Sequence, residues 1–84
     1  MANKNATVFR KLSGEDIKTK RLLLGYTQDE IAAFCGLSRQ TIANIESGRV
    51  AKTSSIYLIT ACLERLYDRC KNKSIRKAID VLGI

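Results

Sequence analysis

The chain has 84 residues, 45% of them apolar and 27% charged, with 15 Lys and Arg against 8 Asp and Glu for a net charge of +7. This length makes one small domain, which buries only about 60% of the surface its unfolded chain exposes, so a dimer would add core. The apolar fraction excludes a disordered chain, zero prolines and five glycines argue against an interrupted all-β architecture, and no apolar run is long enough to span a membrane.

Residues 1–12 have no clear period, carry Lys4, Arg10 and Lys11, and are expected to form an N-terminal arm ahead of a domain over 13–84. Ser13 starts the first helix, with Asp16 three positions on as a capping-box partner. Ile17, Arg21 and Leu24 form its inward face, and Gly25 suits the left-handed position that ends it. Thr27 with Glu30 makes a second capping box, opening a helix that turns Ile31, Ala32 and Cys35 inward and stops at Gly36. Ser38 caps a third helix, closed by Gly48. A loop over 49–52 leads to a fourth helix, capped by Thr53 or Ser54. Its apolar stripe is Ile56, Ile59, Leu63, Leu66 and Cys70. Two uses compete for that stripe: closing the domain's own core, and meeting a partner at its end. Lys71 to Lys73 look like a break, after which Ser74 caps a last helix with Ile75, Ile79 and Leu82 on one face and Gly83 at its end. The tail over about 68–84 is read as a dimerisation element.

The stretch from Thr27 to Gly48 carries the chemistry. It is two short amphipathic helices around a glycine turn. At about 100° per residue, Gln40, Thr41 and Asn44 share one sector of the third helix, and Ile42, Ile45 and Glu46 share the opposite one. Arginine can grip guanine O6 and N7, and glutamine or asparagine can grip adenine N6 and N7. Arg39, Gln40, Thr41 and Asn44 are therefore candidate readers of base edges in duplex DNA, and the net positive charge makes a polyanion a natural partner. The bland alternative is a solvated face, which would carry more Lys and Glu. Arg21 and Glu46 lie on the apolar faces of their helices, and unpaired buried charge is costly. They are expected to pair with each other, the alternative being that both reach solvent.

Cys35, Cys62 and Cys70 form no CxxC motif and the chain has no histidine, so no zinc site or other cofactor is expected. An odd cysteine count argues against a disulfide framework. Reduced, buried thiols in a cytoplasmic protein are the preferred reading. The N-terminus lacks the apolar core of a signal peptide, which agrees with that location. With no histidine base, no phosphate-binding loop and no nucleophile elbow, the chain is read as a non-enzyme.

The run from about Ile17 to Leu63 resembles the Cro/C1-type helix-turn-helix family of phage repressors and small bacterial regulators. The matching features are Arg21, Gly25-Tyr26-Thr27-Gln28, Ile31-Ala32, Gly36-Leu37-Ser38, Ile42, Ile45 and Glu46-Ser47-Gly48. The resemblance implies an all-α, five-helix, lambda-repressor-like domain, here with an arm and an extended C-terminal helical tail. It also implies a homodimeric transcriptional regulator, by default a repressor that includes its own gene among its targets, binding an inverted repeat with helix three in the major groove. By the same resemblance Gln28, Ser38, Arg49 and Lys52 contact the DNA backbone, and Arg21 and Glu46 match a paired Arg and Glu. RNA polymerase is a further partner if the regulator activates. The rival reading is an antitoxin that binds DNA and also neutralises a toxin-like partner protein. Two departures stand out: Thr53-Ser54 replaces a frequent proline, and Phe34 occupies a usually polar position. Phe34 is expected to pack on Phe9 of the arm, with a partner protein as the alternative. The basic tail is either a solvated face or extra DNA backbone contact.

Overall fold

The computed structural model describes residues 12–49 and 51–84, and these described residues form five helices and no strand. They are α1 (Gly14–Leu24), α2 (Gln28–Cys35), α3 (Arg39–Glu46), α4 (Thr53–Arg69) and α5 (Lys73–Leu82). The arm residues up to 11, including Phe9, lie outside the described residues, as does Val50.

Local chemistry sets most of the helix ends. Ser13 accepts the Asp16 N–H, Thr27 and Glu30 complete a reciprocal capping box, and Ser38 accepts the Thr41 N–H. Gly36 ends α2 at φ +74°, a conformation that costs a side-chain-bearing residue about 1–2 kcal/mol. This lets the chain turn sharply into α3. Leu12, assigned from sequence to the arm, is buried in the core. It precedes the Ser13 cap, and Ile17 stands at the fourth helical position, the spacing of a hydrophobic staple.

Two helix starts differ from expectation. α4 begins at Thr53, so Lys52 is its N-cap and no side chain caps it. α5 is capped by Asn72, whose Oδ1 accepts the Ile75 N–H, and Ser74 sits inside its first turn. Asparagine caps as well as serine does. The break before it is fixed by Arg76, whose Nη1 donates to the carbonyls of Tyr67 and Cys70 at the end of α4.

The core is built from Ile17 of α1, Ile31 of α2, Ile42 and Ile45 of α3, and Ile59, Leu63 and Leu66 of α4, with Cys35 and Cys62 packed among them. Deleting a side chain such as Leu63 would cost about 2–5 kcal/mol. Cys62 joins the buried stripe of α4, while Ile56 and Cys70 at its ends are half-buried. α5 packs on α1. Lys20 is buried at that junction: its Nζ donates to Glu64 Oε1 at 3.0 Å and to the Ile84 carbonyl at 2.9 Å. No helix among the described residues is long and apolar enough to cross a membrane.

Candidate nucleic-acid interface

Helix α3 is held from beneath by one ion pair. Arg21 Nε donates to Glu46 Oε2 at 2.7 Å and Arg21 Nη2 to Glu46 Oε1 at 2.9 Å. Both side chains are buried, at 7% and 3% exposure. Arg21 Nη1 also donates to the Tyr26 carbonyl, and Gln28 Nε2 donates to Glu46 Oε1 at 3.1 Å. The pair thus ties the end of α1, the first residue of α2 and the last residue of α3 into one unit. A two-pronged guanidinium–carboxylate contact fixes orientation as well as distance. The ion pair therefore fixes α3 against α1, and the Gln28 hydrogen bond ties the start of α2 to the same carboxylate.

A second constraint on α3 comes from Gly14. A methyl group at this position would run into the Ile45 carbonyl oxygen, so the first turn of α1 lies directly against the end of α3. Only a glycine permits that approach.

The opposite side of α3 faces solvent. Gln40 Nε2 donates to Asn44 Oδ1 at 3.0 Å, one helical turn on. This bond leaves Gln40 with one amide N–H and its carbonyl, the donor and acceptor that match adenine N7 and N6. Ser38 Oγ lies 2.8 Å from Thr41 Oγ1 at the start of the helix. Arg39 is 67% exposed and lies 3.7 Å from Asp29 of α2, an exposed ion pair that contributes little stability.

Two hollows flank this face. One, of about 540 Å³, brings Arg39 together with Gln28, Thr27 and the carboxylate of Asp29 at the N-terminus of α2. The other, of about 330 Å³, brings Thr41 and Asn44 together with Lys52 and Ser55 at the N-terminus of α4. Helix N-termini present backbone N–H groups and positive dipole ends to anions. α4 enters its hollow with no side-chain cap, and Lys52 adds a charge beside it. Gln28 has a second amide hydrogen beyond the one given to Glu46. The polar side of α3 therefore lies between Gln28 and Arg39 on one edge and Lys52 with the uncapped start of α4 on the other.

Of the sequence-derived candidates, Arg39, Gln40, Thr41 and Asn44 share the solvent side of α3, and Gln28, Ser38 and Lys52 stand around it. Arg49 is exposed just past α3, its N–H bonded to the Asn44 carbonyl. Phe34 is 39% exposed, and the Arg69 guanidinium lies 5.8 Å from its ring centre. In the basic tail, Arg76 stacks 4.3 Å from the centre of the Tyr67 ring while bonding the α4 carbonyls, so this cation serves the fold. Sequence reasoning missed Lys20 and Gly14, neither of which carries a periodic or motif signal. Among the described residues, no three His, Cys, Asp or Glu side chains stand together as a metal site would require.

A family model described as helix-turn-helix matches residues 17–64. Neither a curated protein nor a solved structure matches the chain.

Proposed function

The chain belongs to the Cro/C1-type helix-turn-helix family of DNA-binding transcriptional regulators, and from that premise we propose that it is a homodimeric repressor of prokaryotic or phage origin acting on an inverted-repeat operator. In this reading α3 enters the major groove. Arg39, Gln40, Thr41 and Asn44 touch base edges, while Gln28, Ser38, Arg49 and Lys52 hold the backbone. The observation that carries it is the polar face of α3 set between Gln28 and Arg39 on one edge and Lys52 beside the uncapped start of α4 on the other. The net charge of +7 draws the protein to DNA of any sequence, and the α3 side chains choose among sequences. Two copies related by a two-fold axis would meet half-sites about 34 Å apart. Occupancy of the operator, including one at its own gene, follows protein concentration in the cytoplasm.

Selection from a random duplex pool at near-physiological salt, read by sequencing, tests this directly. Enrichment of an inverted repeat is the expected result. Binding without enrichment would overturn the sequence-reading role and leave an architectural one. No binding by the chain alone would move the reading to a DNA-binding antitoxin that needs its partner protein.

A further inference from the structure

Away from α3, the described residues leave Leu22 of α1 and Phe34 of α2 singly in solvent and pairs of apolar side chains on α4 and α5. α4 exposes Tyr57 and Leu58, at 47% and 42%, and α5 exposes Val81 and Leu82. The α4 patch belongs to a longer pattern. Tyr57, Leu58, Ala61, Glu64, Arg65 and Asp68 recur at spacings of three and four, on the side of the helix away from Ile59, Leu63 and Leu66. Large apolar residues stand at one end, charges of both signs at the other, and a small residue between them. Together they shape a shallow groove of about 580 Å³ with Ala61 in its lining.

This pattern is complementary to itself when reversed. If a second α4 crosses antiparallel at Ala61, residues equally far before and after position 61 face each other. Tyr57 then meets Arg65 of the second copy, an aromatic face against a guanidinium. Leu58 meets the aliphatic stem of Glu64. Ala61 meets its own counterpart on the axis, where a small side chain permits close helix approach. Each contact occurs twice, as a two-fold interface requires. The α5 patch lacks this property. Among the described residues that line it, Lys77 alone is charged, so a reversed copy brings no counter-charge from them.

Position agrees with pattern. Lys52 and Ser55 share a hollow with Thr41 and Asn44, so α4 starts beside the readout helix and the stripe begins within its first turns.

We infer that this stripe of α4 is an interface for a second copy of the chain, centred on Ala61. The inference rests on the homodimer reading and adds the surface and register to it. Its test is cysteine trapping with Cys70→Ser as background. Ala61→Cys is oxidised with copper phenanthroline, alone and on the duplex selected from the random pool, beside Val81→Cys as the rival surface. Most of the Ala61→Cys chain is expected as a covalent dimer, with little or none for Val81→Cys. Leu58→Glu, at an exposed position, is expected to keep its helical signal while sedimenting at single-chain mass. Trapping through residue 81 instead of 61, or two-chain mass retained by Leu58→Glu, would overturn this surface and leave the homodimer standing. A wild-type chain of single-chain mass at every concentration and on the selected duplex would overturn both.

Discussion

Arg21 and Glu46 meet through two hydrogen bonds, at 2.7 and 2.9 Å, with both side chains buried. A buried pair stabilises little against an apolar replacement, yet removing one partner strands the other charge. Glu46→Ala and Arg21→Met are each expected to cost about 3–5 kcal/mol. Arg21→Met with Glu46→Leu should recover much of that loss. Urea denaturation of the three variants checks this, and single variants as stable as wild type would remove the ion pair from the account of how α3 is held.

Gly14 and Ile45 touch so closely that a side chain at 14 has no room beside the Ile45 carbonyl. The obstacle is backbone, which cannot swing aside as a side-chain tip can. Gly14→Ala raises helix propensity by about 1 kcal/mol in isolation, but overpacking costs about 1–3 kcal/mol. Net destabilisation is expected, with weaker DNA binding because the end of α3 must shift. A melting temperature above wild type would show that α1 slides freely past α3.

These two contacts mark how far the sequence is legible. Both ends of α1 and α2 and the start of α3 follow from Ser13, Thr27, Ser38, Gly25 and Gly36, because capping is local chemistry, whereas α3 stops at Glu46 with Ser47 as its cap, ahead of the expected Gly48. The start of α4 was misplaced because Lys52 gives no side-chain signal. The start of α5 was misplaced because Asn72 and Ser74 both carry acceptors, and the choice falls to Arg76 reaching back to Tyr67 and Cys70. The polar face of α3 follows from helical period alone. The hollows beside it do not, since they join residues such as Arg39 with Gln28, and Asn44 with Lys52, that meet only on packing. Lys20 was invisible for the same reason, with partners 44 and 64 residues away.

Lys20 and Glu64 are unequal partners. Lys20 is 2% exposed and Glu64 47%. Losing the lysine leaves a carboxylate that water can reach, whereas losing the carboxylate leaves a buried ammonium with the Ile84 carbonyl and the Tyr67 ring. Lys20→Met is therefore expected to change stability by less than about 1 kcal/mol, and Glu64→Ala to cost about 3 kcal/mol. Equal effects in chemical denaturation would contradict this asymmetry.

Burial raises the Cys35 thiol well above its ordinary value of 9.0, and the neighbouring Cys62 adds to the shift. Above pH 9 the unfolded chain loses this proton while the folded chain keeps it. Stability is then fully present below pH 9 and falls as pH rises, by up to about 1.4 kcal/mol per unit. Tyr67, raised chiefly by its hydrogen bond to Asp80, pulls the same way above pH 10. Cys35→Ala should be less stable at pH 7 yet lose less between pH 9 and pH 10. Parallel stability curves for the two proteins would exclude ionisation of this thiol as the cause.

In the proposed reading, Gln40 serves choice of sequence and Lys52 serves attraction to DNA. Gln40 stands on the open side of α3, tied to Asn44, with a donor and an acceptor left for a base edge. Gln40→Ala is expected to cost about 1–3 kcal/mol on the selected operator and to relax preference at one base pair. Arg39→Ala should behave alike at another position. Lys52 lies at the edge of the face, beside the uncapped start of α4. Lys52→Ala should weaken binding evenly across sequences and make the salt dependence shallower by about one unit. Titrations of the selected and a scrambled duplex at several salt concentrations distinguish the two. Equal losses for Gln40→Ala on both duplexes would remove it from base reading, and an unchanged salt slope for Lys52→Ala would remove that residue from the phosphate contacts.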